Sequence, residues 1–319
     1  MGKKMKTIIF IFVCVVAFVI SVIIGIAISA NYLINRRYQY LDVNFTEDVG
    51  YVVENLTYGD KPLNNFDIYF PADNSKGNYS LIFYSHGGGF TGGDKSLVEC
   101  RKHGQYLASN GYIFASVNYT YRTEDNGATI IGMYEELMTA VQAVVRECES
   151  RGYHINEMAT SGGSAGGCLA MLVAYKEPER LPVPIRFVFE ETGPASFEPE
   201  LWDMQTNEEK AFFINTLAGT TFTAEDVGTQ EYQNAIDEIS VATMINDNSV
   251  PILLAYGPKD MMVNPKAKYP LLDKLDEYSI PHDFVEFPNS GHGLTGDPDK
   301  TEEYYQLMDR YLTEYFTNK

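Results

Sequence analysis

The stretch "TSGGSAGGCLA", residues 160–170, holds four glycines and two serines in eleven positions. It follows a short apolar run, "EMAT" at 157–160, and precedes a helix-like pattern, "AGGCLAMLVAYK" at 165–176. A strand, a glycine-crowded turn and a helix, in that order, are the setting of a G-x-S-x-G nucleophile elbow, here Gly162-Gly163-Ser164-Ala165-Gly166. The need for glycine is steric. A Cβ beside so sharp a turn would strike the neighbouring strand or helix, and the serine itself is held in a strained backbone conformation. Its hydroxyl then stands at a helix N-terminus, whose dipole favours developing negative charge. A Gly/Ser loop without function has the same composition, so the motif needs partners elsewhere in the chain.

The first partner is "FYSHGGGFTGGDK", residues 83–95, where His86-Gly87-Gly88-Gly89 follows an apolar strand. An acyl-transfer intermediate carries charge on the former carbonyl oxygen. Backbone N–H groups must point at that oxygen, and side chains would block its approach. Consecutive glycines meet both needs, as in the HGGG element of lipases and esterases. The expected donors are the N–H groups of Gly88, Gly89 and Ala165, with His86 orienting the loop. A phosphate-cradling loop is the competing reading, but the chain has no G-x-x-x-x-G-K-[ST] and no helix opening at Gly89.

Serine needs a base, and the base needs an orienting acid. Of the five histidines, His86, His103 and His154 precede the serine, and His282 opens a strand. His292, in "FPNSGHGLTG", sits on a glycine-rich loop after the last apolar strand and completes the chain order Ser…Asp…His. "PILLAYGPKDMMV" supplies Asp260, three residues past Gly257. Glu190, Glu191 and Asp297 compete for the acid's role. The expected catalytic set is Ser164, Asp260 and His292, with no metal and no organic cofactor.

Around these motifs strand-like and helix-like runs alternate. "YVVENLTYG" (51–59) and "FDIYF" (66–70) read as an antiparallel pair; 80–85, 112–119, 157–160, 185–191, 251–257 and 282–287 read as further strands. Helices are expected at 130–148, 165–176, 265–278 and 301–316. Such alternation implies a mainly parallel sheet covered on both faces, with ligands at the carboxyl ends of its strands. Residues 192–248 interrupt the rhythm, hold the only tryptophan, Trp202, and are expected to form a helical cap over the site. A structural excursion packed away from the site is the alternative.

Lys plus Arg total 24 against 43 Asp plus Glu, a net charge of −19 that argues against nucleic acid as a partner. The four cysteines fit no zinc or redox spacing and read as buried thiols. Residues 8–30 carry no charge over 23 positions, and about 20 apolar residues cross a bilayer. This predicts one N-terminal transmembrane anchor within residues 1–30, a stem at 31–50 and a hydrolase domain at 51–319. Lys3, Lys4 and Lys6 against Arg36 and Arg37 place the N-terminus in the cytoplasm and the catalytic domain outside the cell membrane. Cleavage after Ala30, giving a secreted protein, is the alternative. Asn44, Asn55, Asn78 and Asn118 stand in N-x-S/T sites.

Together HGGGF, GGSAGG, YGPKD and SGHG resemble the α/β-hydrolase fold, and more narrowly its acetyl-esterase and hormone-sensitive-lipase-like branch. "NYTYR" (118–122) resembles that branch's Y-R signature, although Thr123-Glu124-Asp125 follows where the branch has L-A-P-E, and Phe90 stands where tryptophan is common. The resemblance spans about residues 51–317 and implies a serine carboxylic-ester hydrolase acting on small esters with short, acetyl-type acyl groups. An amidase or peptidase of the same fold, arylformamidase-like for example, shares the motifs. A non-catalytic, membrane-anchored binding protein is the reading from outside enzymology. Oligomeric state is left open by these patterns.

Overall fold

A computed structural model of the protein describes residues 12, 16, 18–22, 24–25, 28–29 and 32–318. Eight strands form one sheet: β1 (Gly50–Thr57), β2 (Asn65–Pro71), β3 (Tyr79–Ser85), β4 (Ile113–Val117), β5 (Ile155–Gly163), β6 (Ile185–Glu191), β7 (Ile252–Tyr256) and β8 (His282–Glu286). Their spatial order is β1-β2-β4-β3-β5-β6-β7-β8. β1 and β2 pair antiparallel and β2 runs antiparallel to β4; every later pairing is parallel. The central strands are buried along both faces, which is why they read as unbroken apolar runs, whereas the edge strand β1 alternates.

Two hydrophobic layers enclose the sheet. One contains the inward sides of helices Ile130–Ser150, Ala165–Tyr175 and Tyr269–Glu277. The other contains helices Val98–Ser109 and Pro298–Tyr315 together with Leu41. Helix Val98–Ser109 is absent from the pattern reading. Gly104 at its centre and the polar run Glu99-Cys100-Arg101-Lys102-His103 hide its apolar face. That glycine is needed because a Cβ there would lie 2.6 Å from the Tyr69 ring.

The anchor expected over residues 8–30 lies for the most part outside the described residues. Among the described residues no helix is long and apolar enough to cross a membrane. The transmembrane helix, the single-pass topology and the cell-membrane localisation with an extracellular domain are therefore corrected. Crossing a bilayer takes about 20 consecutive apolar residues, and the described helical residues contain no such run. The secreted alternative rested on the same segment. Within the stem expected at 31–50, Arg37 and Leu41 are buried, and Tyr40 stacks on Tyr305 of the last helix at 5.5 Å. Among the sequons, Asn118 is buried and its amide donates to Asn65 and Asp94, so the folded chain does not offer it to a glycosyl donor.

Candidate active site

β5 ends in Gly162-Gly163, and helix Ala165–Tyr175 starts one residue after Ser164. Ser164 has φ 57° and ψ −128°, a strained conformation for a residue with a side chain. Its N–H is held by the Glu191 carbonyl at 2.7 Å. A Cβ on Gly166 would overlap the Ser85 and His86 carbonyl oxygens. The glycines thus let the elbow nest against the end of β3.

His292 Nε2 lies 2.9 Å from Ser164 Oγ, and His292 Nδ1 lies 2.7 Å from Asp260 Oδ2. The other carboxylate oxygen, Asp260 Oδ1, accepts from the Met262 and Val263 N–H groups at 2.8 and 3.0 Å. With both oxygens engaged the carboxylate cannot rotate away. A carboxylate at Nδ1 selects the tautomer that donates there and accepts at Nε2. The histidine loop is braced by Asp297, which accepts from Ser290 Oγ at 2.6 Å and from the Asn289 N–H at 3.0 Å. Burial pushes the Asp297 carboxyl up, but the hydrogen bonds from Ser290 and Asn289 outweigh it and hold it below the usual range.

Glu190 and Glu191 do different work. Glu190 is fully buried behind the elbow, with Oε2 accepting from the Gly193 N–H at 2.6 Å. Burial pushes its carboxyl well above the usual range. Glu191 is gripped by Arg37 at 2.5 Å. His86 is buried, stacks on Tyr119 at 4.5 Å, and places Nδ1 2.7 Å from the Gly87 carbonyl. Burial pushes its pKa down, so the ring stays neutral and braces the glycine loop. His103 lies buried among aromatic rings, and His282 Nδ1 meets the Ile280 carbonyl.

The glycine loop runs past Ser164. Gly88 has φ +134°, where a Cβ would also overlap the Gly92 carbonyl. Among the described residues no backbone acceptor takes up the Gly88 or Gly89 N–H. The loop is pinned at its far end by Lys95, whose ammonium meets Asp67 at 2.6 Å in a buried pair. Arg122 ties it to the 192–248 insertion: the Arg122 N–H donates to Phe90 O at 2.7 Å, and Nη1 donates to Thr216 O at 2.7 Å.

Two cavities meet at Ser164. The larger, about 420 Å³, is bordered by Gly87–Gly89, His292, Tyr38, Tyr84, Glu99 and Glu191. The smaller, about 150 Å³, is bordered by Gly89, Ala165, Phe90 and, from the insertion, Phe197, Trp202 and Phe213. Met262 borders both. Tyr38, Glu99 and Met262 were not found by sequence reasoning. They carry no motif, and only the fold brings them to the serine.

A serine on a strained elbow, hydrogen-bonded through a histidine to a carboxylate at the carboxyl ends of a mostly parallel sheet, defines an α/β-hydrolase. A model of the BD-FAE family matches residues 66–275, and the chain belongs to that family of α/β-hydrolase esterases. The fold is similar to esterase B from Lactobacillus rhamnosis, solved in an inhibited form, at TM-score 0.66 and 20% identity over 93% of this chain and 96% of that one. It is also similar to a thermophilic esterase from the Planctomycetes species Thermogutta terrifontis, at TM-score 0.64 and 17% identity over 86% and 95%. Dipeptidyl aminopeptidase BIII of Pseudoxanthomonas mexicana is 23% identical over 248 residues, 73% of this chain. The chain spans 33% of that relative's length.

Proposed function

We propose that the protein hydrolyses carboxylic esters with short acyl groups through an acyl-enzyme on Ser164. The hydrogen-bonded row Ser164–His292–Asp260, facing the unengaged Gly88 and Gly89 N–H groups, carries this reading. Ser164 Oγ attacks the ester carbonyl carbon while His292 Nε2 takes its proton, and Asp260 stabilises the imidazolium. The Gly88, Gly89 and Ala165 N–H groups receive the oxyanion, each such donor being worth about 10²–10³ in turnover. His292 then passes the proton to the departing alcohol oxygen. Water, deprotonated by the same ring, attacks the acyl carbon and frees Ser164. The small apolar cavity, closed by residues 194–217, supports a short acyl group and a capping role for the insertion.

Ser164→Ala is expected to abolish p-nitrophenyl acetate hydrolysis and labelling by a fluorophosphonate, the chemistry by which sarin phosphonylates the Thermogutta terrifontis esterase. Wild-type turnover in that variant would end the proposal. The peptidase relative favours a second reading, amide hydrolysis by the same residues. Comparing kcat/KM on an acetyl ester, a dipeptidyl amide and an N-formyl aromatic amide separates the two.

A further inference from the structure

We propose that the larger cavity receives a leaving group that carries a positive charge, and that Glu99 selects it. This rests on the ester-hydrolase reading. The departing oxygen must take its proton from His292, and His292 borders the larger cavity but not the smaller. The alcohol therefore lies in the larger cavity and the acyl group in the smaller.

The larger cavity is acidic and aromatic. Glu99 and Glu191 border it, and so do the rings of Tyr38 and Tyr84. Glu191 already has a cation in Arg37. Glu99 has no ion-pair partner among the described residues. Arg101, two positions along the same helix, is exposed and off the Glu99 face; its charge lowers the Glu99 carboxyl, but less than burial and Glu191 raise it. His103, packed between Tyr38 and Tyr84, supplies no charge, because burial pushes its pKa down. One carboxylate therefore borders the reaction cavity with no cation in ion-pair contact among the described residues, the exposed Arg101 acting on it only through space. Burial pushes the Glu99 carboxyl up, and the neighbouring Glu191 reinforces this. An uncompensated carboxylate in a partly dry site is costly, and a substrate ammonium would remove that cost. Aromatic rings in the same wall add cation–π attraction, strongest for a desolvated quaternary ammonium. The charged group is a spectator: the acyl carbon still passes from the alcohol oxygen to Ser164 Oγ, and the serine proton still leaves with the alcohol.

The test compares 2-(trimethylammonio)ethyl acetate with its uncharged carbon isostere, 3,3-dimethylbutyl acetate, on the full chain. The expected result is a preference for the cationic ester of about ten-fold in kcat/KM, carried by KM. Glu99→Gln should bring the ratio close to one, while Glu303→Gln, an exposed carboxylate on the last helix, should keep it. Equal kcat/KM for the two esters in the unmodified protein overturns the proposal. So does a ratio that survives Glu99→Gln, or a polyhydroxy alcohol acetate preferred over both esters. If neither ester is hydrolysed, the hydrolase reading falls, and calorimetry with 2-(trimethylammonio)ethanol still tests the subsite. Binding lost in Glu99→Gln supports it; no binding to the unmodified protein overturns it.

Discussion

At the scale of single residues, the site depends on which proton sits where. An Nδ1–H given to Asp260 leaves His292 Nε2 to accept from Ser164. Asp260→Asn keeps the shape but donates an amide N–H toward Nδ1 and favours the wrong tautomer. The expected fall in kcat is about 10⁴-fold with little change in KM, measured by steady-state hydrolysis. A change in KM alone would show that Asp260 only shapes the pocket. Glu190 offers a test through stability instead. Its ordinary value is 4.5, and in the fold burial raises it well above that. Above pH 4.5 the unfolded chain releases this proton while the folded chain keeps it, so stability falls as pH rises through the interval between the two values. Glu190→Gln removes that proton linkage. The melting temperatures of the variant and the parent should diverge in the variant's favour between pH 5 and pH 8; parallel curves would show that Glu190 does not titrate differently on folding.

At the scale of elements, the insertion walls the small cavity beside Ser164 that we propose holds the acyl group. Trp202 stacks on Phe197 with ring centres 5.9 Å apart and anchors its Nε1–H on the Ser196 carbonyl at 3.0 Å. Both rings, with Phe213, close the small cavity. Trp202→Ala should open it and shift preference toward longer acyl chains, by about ten-fold in the ratio of p-nitrophenyl hexanoate to acetate kcat/KM. An unchanged ratio would place the acyl group elsewhere. Arg122 shows how the insertion and the glycine loop are coupled, since its backbone holds Phe90 and its guanidinium holds Thr216. This gives the tyrosine–arginine signature a mechanical role even though the residues after it depart from the usual pattern.

At the scale of the whole molecule, the segment before the sheet is part of the reaction cavity. Arg37 is buried among Tyr38, Phe287, Tyr304 and Tyr305, and its only ion pair among the described residues is with Glu191. Glu191 also supplies the carbonyl that holds the Ser164 N–H. Arg37→Ala leaves a buried carboxylate without its cation and removes a packed side chain. A loss of about 3–5 kcal/mol is expected, together with reduced turnover, read by denaturant unfolding and by kinetics. A surface-like loss below about 0.5 kcal/mol would mean that this segment is not docked in solution.

Much of the site was legible in the chain because local sterics and local chemistry leave marks. A Cβ at Gly162 or Gly166 would strike backbone, so those positions show as glycine. Strands buried on both faces show as continuous apolar runs, and the order of serine, aspartate and histidine follows the order of the strands that carry them. Helix Val98–Ser109 escaped notice because its buried face includes His103 and Gly104, which no apolar periodicity would include. The membrane reading of residues 8–30 is overturned because, among the described residues, no helix is long and apolar enough to cross a bilayer.

By itself the sequence determined the elbow, the glycine loop and the serine, histidine and aspartate that the fold draws into one hydrogen-bonded row, since each must be a particular residue type beside particular neighbours. Only the tertiary structure decided the walls of the cavities. Glu99, Glu191 and Met262 meet because crossovers of a parallel sheet carry them to one end of it, and the Arg37–Glu191 pair docks Tyr38, from before the sheet, beside them. The shape and charge of such a space are sums over distant side chains, and no local pattern encodes a sum of that kind.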